Sequence, residues 1–172
     1  MVREIKKIGD PVLRRKAKKV EKITRETLKL IDDLLETMHA ANGLGLAAPQ
    51  IGVLQRVAIV EIAPDENVAG SGVVYALINP EIVKESEETW VNQEGCLSIP
   101  GWRGEVERPL KITVKSLDRS GNRVKFDVEG WVARAFQHEI DHLDGVMFID
   151  KLVAPDRMWR VKEGEEDKEP AG

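Results

Sequence analysis

Apolar positions recur at two periods along this chain. Between Thr24 and Asn42, the residues Leu28, Ile31, Leu35 and Met38 fall three or four apart, which sets them on one side of an α-helix. Thr24 suits its N-cap and Gly43 its stop. A short helix is predicted from Asp10-Pro11 to about Ala17, because Asp caps and proline is tolerated at the first helical position. Another is predicted from Trp131 to about His142, ending near Asp144-Gly145. Elsewhere β-branched residues dominate. Val53 to Ile62 reads as a strand, and Tyr75–Ile78 and Glu81–Lys84 as strand pieces around Asn79-Pro80. Lys111–Leu117 and Val124–Glu129 flank Asp118-Arg-Ser-Gly-Asn122, a hairpin signal. Gly43–Gly52, Ala63–Gly72 and the turn-rich Gly95–Gly104 read as loops. The predicted class is α+β, mostly antiparallel strands packed around one central helix near the C-terminus.

Composition narrows the setting. The formal net charge of −4 offers no general attraction to nucleic acid or anionic lipid and leaves room only for a local basic patch. A single cysteine cannot form an intrachain disulfide, which favours a reducing compartment. Neither a signal-peptide h-region nor a membrane-length apolar run is present, so a cytoplasmic protein without membrane contact is expected. Residues 1–161 read as one catalytic domain, and 162–172 as a polar, frayed tail.

The candidate chemistry sits on the last helix. In His138-Glu139-Ile140-Asp141-His142, an HExxH pattern, the two histidines stand one turn apart on one face and can hold one metal ion together. Glu139 can reach a water at that ion and act as acid and base. The neighbours Trp131, Ala135 and Phe136 point to a largely buried helix, where unpaired histidines are costly. A tetrahedral site needs a third protein ligand. Downstream there are only acidic candidates, Asp144, Asp150 and Asp156; upstream, Cys96 lies in the glycine- and proline-rich stretch and is preferred. Trp131 and Ala135 share the face of His138 and are candidates for a pocket wall, with Leu44 as another, although core packing explains Trp131 equally well. Arg103 is expected to be solvated rather than at the cleft. Asp141 is either a group orienting a ligand or an exposed helix residue.

Three separated motifs, in order, resemble those of peptide deformylase: Gly43-Leu-Gly-Leu-Ala-Ala-Pro-Gln50, Glu94-Gly-Cys-Leu-Ser98 and Gln137-His-Glu-Ile-Asp-His142. The likeness runs from about Gly9 to Leu152. It implies a deformylase-like fold around the HExxH helix and removal of the formyl group from the formylmethionine of new polypeptides, releasing formate. It implies Cys96, His138 and His142 as ligands of one divalent ion, Fe(II) in the cell, with Zn(II), Ni(II) or Co(II) possible in the purified protein. It implies Glu139 as acid/base, Gln50 and the Leu97 N–H as oxyanion donors, and Gly45 as a main-chain contact to the N-formylmethionyl peptide. The nascent chain at the ribosome is the implied setting. The acidic tail puts docking through a C-terminal helix in doubt, and Arg157 to Arg160 with Lys162 offer only a small basic turn. A metallopeptidase shares the helix, and a metal-containing binding protein shares the fold; the cysteine ligand speaks against the first and the presence of Glu139 and Gln50 against the second.

Overall fold

The structure, a computed structural model, describes residues 1–161. The tail expected over 162–172 lies outside the described residues. The long helix α1 (Arg25–Ala40) begins where the sequence predicts: the Thr24 hydroxyl caps the Thr27 N–H, and the Thr27 hydroxyl accepts from the Thr24 N–H. Its buried face is rotated from the predicted one. Leu30, Ile31, Leu34 and Met38 are buried, whereas Leu28 and Leu35 are half-buried. The same face buries Asp33, whose charge meets Arg3 at 3.2 Å. The stop is Asn42, left-handed at φ 55°, rather than Gly43. Gly43 serves a different purpose, since a Cβ there would stand 2.6 Å from the Leu97 side chain. The first predicted helix shrinks to a 3₁₀ turn, Pro11–Arg14, capped by Asp10.

The strands follow in chain order as β1 (Gly45–Ala47), β2 (Val57–Glu61), β3 (Val74–Glu85), β4 (Thr89–Cys96), β5 (Ile99–Pro109), β6 (Lys111–Leu117), β7 (Arg123–Glu129) and, after helix α2 (Gly130–Leu143), β8 (Met158–Arg160). Five of them form an antiparallel sheet in the order β1-β2-β3-β6-β7, and β4-β5-β8 form a second. The expected loop Gly43–Gly52 is in fact β1 followed by a 3₁₀ turn, Ala48–Ile51. The expected loop Gly95–Gly104 is the tip of the β4–β5 hairpin, where Cys96 pairs with Ile99 across Leu97-Ser98. Backbone pairing there overrides the turn-forming composition. The two pieces around Asn79-Pro80 are one strand, β3, bent at a bulge. Asn79 is left-handed at φ 52°, and its side-chain amide bonds both backbone groups of Val20 at 2.8 Å, which fastens the N-terminal segment to the sheet.

The sheet is packed on both faces. Along β2, Val57 and Ile59 meet α1 through Ile31, Leu34 and Met38, while Val60 turns to α2 with Leu77, Ile112 and Val114. From α2, Val132, Ala133, Phe136 and Ile140 complete the second cluster. Burying a side chain the size of Phe136 contributes about 1.5–3 kcal/mol, so the core of α2 anchors the helix firmly. Gly145 ends it at φ 74°, pressed against the Arg14 backbone, and the Ala17 N–H bonds the Leu143 carbonyl at 2.8 Å. No described helix is long and apolar enough to cross a membrane.

Candidate metal centre

Helix α2 carries His138, Glu139 and His142 on its buried side, all of them at most 3% exposed. The β4–β5 tip brings Cys96 to them. The candidate donor atoms of Cys96, His138 and His142 all lie within 4.8 Å of one another, and the Cys96 sulfur is 3.3 Å from Nε2 of His142. Two neutral nitrogens and a thiolate suit a borderline-soft divalent ion. His138 Nε2 is buried with no hydrogen-bond partner among the described residues. An orphaned buried nitrogen facing a thiol is costly unless something binds it, so these residues fit a single metal ion.

The two imidazoles are pushed in opposite directions. Burial holds His142 well below the usual histidine range, and the nearby His138 and Arg108 add to this. Burial also opposes charge on His138, but Glu139, Cys96 and Glu94 outweigh it and push that ring well above the usual range.

On one side of His138 stands a neutralised cluster. Its Nδ1 lies 2.9 Å from Glu94 Oε1. Arg108 grips Glu94 through two bonds of 2.6 and 2.8 Å, and Arg134 adds a third at 2.6 Å. Burial alone would raise the Glu94 carboxyl, but Arg108 and His138 hold it well below the ordinary carboxylate range. Arg108 also reaches Asp141 at 2.8 Å, and Asp141 is tied to Lys151 at 3.1 Å. Asp141 is therefore not a free surface residue; its carboxylate bonds Arg108 and Lys151 rather than a histidine ring, and it is linked to His138 through Arg108 and Glu94. Arg134 also donates to the carbonyls of Val106 and Trp90, while its buried Nε has no hydrogen-bond partner among the described residues.

On the other side Glu139 has no such support. Both carboxylate oxygens are buried and unpartnered among the described residues. Burial pushes its carboxyl up to about 7, with Glu94 and Asp141 adding to the effect and His138 opposing it. The Gly45 backbone lies directly against it, and a Cβ there would meet the Glu139 Oε2 at 2.5 Å. Gln50 is fully buried beside the cysteine. Its Oε1 accepts from the Ala47 N–H at 2.9 Å, which orients the amide so that Nε2 points to the Ser98 hydroxyl at 3.1 Å and the Cys96 sulfur at 3.6 Å.

The remaining sequence candidates distribute as follows. Leu97 is half-buried at the hairpin tip, next to Cys96. Leu44 is half-buried, with its carbonyl accepting from the Glu61 N–H at 2.9 Å. Ala135 packs in the α2 cluster, and Trp131 stacks edge-on against Trp90 at 5.1 Å, so both take part in packing. Arg103 corrects the expectation of a solvated side chain: it is 3% exposed and lines a cavity of about 110 Å³ with Cys96 and Leu97. Of the expected basic turn, Lys162 lies outside the described residues, Arg157 is bound to Glu105, and Arg160, in β8, lies over the Trp102 ring. Sequence reasoning assigned no role to Glu94, Arg108 or Arg134. Glu94 lay inside a quoted motif, but its two arginine partners come from β5 and α2, and no local pattern links them.

The family model for polypeptide deformylase matches residues 2–158. A peptide deformylase of Halothermothrix orenii is 55% identical over 152 residues, covering 88% of this chain and 94% of that one. One from Symbiobacterium thermophilum is 52% identical over 98% of this chain and 73% of its own length. Among solved structures, peptide deformylase from Thermotoga maritima superposes with a TM-score of 0.83 at 42% identity, covering 90% of this chain and 99% of that one. The Ehrlichia chaffeensis enzyme in complex with actinonin gives 0.84 at 42% identity, covering 91% of each chain. With a matching family model over nearly all of the described residues, and with the cysteine, two histidines and glutamate of its motifs gathered at one buried point, this chain belongs to the polypeptide deformylase family.

Proposed function

We propose that this chain hydrolyses the N-formyl group from formylmethionyl peptides, releasing formate, and that newly made polypeptides in the cytoplasm are its substrates. The observation that carries this reading is the pairing of a three-donor metal site with a buried, unpartnered carboxyl on the adjacent residue. Cys96, His138 and His142 would hold one divalent ion, and the thiolate and the family favour Fe(II). When bound, the ion supplies Lewis acidity toward water and toward a carbonyl oxygen.

The chain's own residues supply the rest. Glu139, with its carboxyl near 7, takes a proton from the attacking water and returns it to the leaving amine at neutral pH. Gln50 is held by the Ala47 N–H with its amide nitrogen beside the Cys96 sulfur, where it can donate to the developing oxyanion, and the Leu97 N–H is the second donor. Gly45 lies in β1, an edge strand, where an extended peptide can add its backbone beside the carboxyl of Glu139. Leu44, Trp131 and Ala135 form the apolar surroundings of the first side chain. Residues 1–161 constitute the catalytic unit.

The test is anaerobic formate release from a formyl-Met tripeptide with ferrous iron supplied. Rapid release that stops on chelation and is lost in air is the expected result. Cleavage of unformylated peptides with none of formylated ones would replace this reading with that of a peptidase.

A further inference from the structure

A groove of about 600 Å³ separates the N-terminal segment from the β6–β7 hairpin, away from the metal ligands in both sequence and lining. Lys19, Lys115, Arg123 and Lys125 line it, with Glu21 and Glu81 as its acidic members. None of the four cations makes an ion pair or side-chain hydrogen bond with another described residue. Lys115 stands opposite Lys125 in the β6–β7 register and opposite Glu81 in the β3–β6 register, so one like charge and one opposite charge flank it across the sheet. The bank formed by the N-terminal segment is itself basic, since Arg15, Lys16, Lys18 and Lys22 are all exposed around Lys19. Asn79, held in its left-handed conformation, fixes that bank against the sheet. On a protein of net charge −4, this concave surface carries an excess of cations, four against the two carboxylates of Glu21 and Glu81.

We propose that this groove binds the phosphate backbone of double-helical RNA. Two basic banks flanking a groove fit a single ridge of phosphates, and A-form RNA presents such ridges beside a shallow minor groove. An anionic membrane fits less well, because none of the large exposed apolar side chains lines the groove to enter a bilayer. Recognition through lysine and arginine alone reads charge and shape rather than sequence. The surface is independent of the deformylase reading, and its failure would leave that reading intact.

The experiment is a fluorescence anisotropy titration of a labelled RNA duplex of about 20 base pairs with the full chain, at two salt concentrations. A groove variant carries Lys19→Ser, Lys115→Ser, Arg123→Ser and Lys125→Ser. A control variant removes exposed cations elsewhere, Arg25→Ser, Lys29→Ser and Lys84→Ser. Formate release from a short formyl peptide checks that each variant is folded. The groove variant is expected to lose at least about tenfold in affinity, with a log–log salt slope shallower by about 0.7–0.9 per phosphate contact removed, while the control stays near wild type. Equal losses in both variants, no duplex binding by the wild type, or preference for anionic vesicles over RNA would each overturn the proposal.

Discussion

Glu94 and Glu139 are both buried carboxyls next to His138, yet their surroundings differ in every respect. Glu94 accepts from Arg108, Arg134 and the His138 ring, and stays ionised well below the ordinary range. Glu139 has no partner for either oxygen among the described residues, and its carboxyl is pushed up to about 7. One side of the centre is rigid, neutralised and built to hold a ring still. The other is left electrostatically incomplete, which is how a group is made able to exchange a proton near neutral pH. The contrast shows that burial alone does not decide what a carboxyl does. The cations within reach decide it.

The contrast can be broken at its working side. Glu139→Gln is expected to lower turnover of a formyl peptide by about 10²–10⁴-fold. Metal content, read by elemental analysis, should stay at wild-type level, and near-normal turnover would remove Glu139 from the acid/base role. Gly45→Ala probes the same carboxyl from outside, since the added methyl collides with Oε2. A displacement of this kind should cost about 10²-fold in rate with little loss of metal.

At the supporting side the expected defect moves from rate to retention. Glu94→Gln leaves Arg108 and Arg134 short of their counter-charge and frees the His138 ring. Metal affinity should fall about 10–100-fold, measured by competition with a chelator, and stability by about 3–5 kcal/mol in urea. A variant with wild-type affinity would show that Glu94 does not orient the ligand.

The smallest and most diagnostic effect is the pH dependence of stability in the metal-free protein. Folded Glu139 keeps its proton up to about pH 7, whereas in the unfolded chain it is lost near 4.3. Within that window the folded state binds more protons, so stability falls as pH rises, by on the order of a few kcal/mol in total. Glu139→Gln should flatten that slope between pH 5 and 8. Glu94 has the opposite sign: it stays ionised when folded, so its contribution is present above about 4.3 and is lost as the pH falls toward its depressed folded value. Glu94→Gln should therefore remove part of the acid-side loss, on top of its general cost in stability. Slopes that do not separate in this way would end the contrast between the two carboxyls.

Much of this centre was legible in the chain. His138 and His142 are one turn apart on a helix, a relation fixed by local geometry, and Thr24 announces the start of α1 through its capping hydroxyl. What escaped was non-local. The glycine and proline around Cys96 suggested a loop, because β4 and β5 earn their extended form from each other across the hairpin rather than from propensity. Glycine also misled at Gly43, read as a helix stop, where its service is room for Leu97; Gly45 lies in a strand rather than a loop, and its bare backbone leaves room for Glu139. The Glu94–Arg108–Arg134 cluster joins residues from three elements, and a lone arginine in sequence is expected at the surface until its counter-charge is known.

The site's dispersion along the chain also bears on how the protein acquires it. Gln50 and His142 each lie 46 residues from Cys96, on either side, and the Ala17 N–H closes onto Leu143 near the far end. Loops of that length must close before any of these contacts is rewarded, so folding is expected to be slower than for a helical bundle of similar size. The ion-binding triad cannot exist before His142 has left the ribosome and β4 has met α2. Metal capture is thus a late step of maturation, one that draws the folding equilibrium forward by mass action and makes loading depend on free ion at that moment.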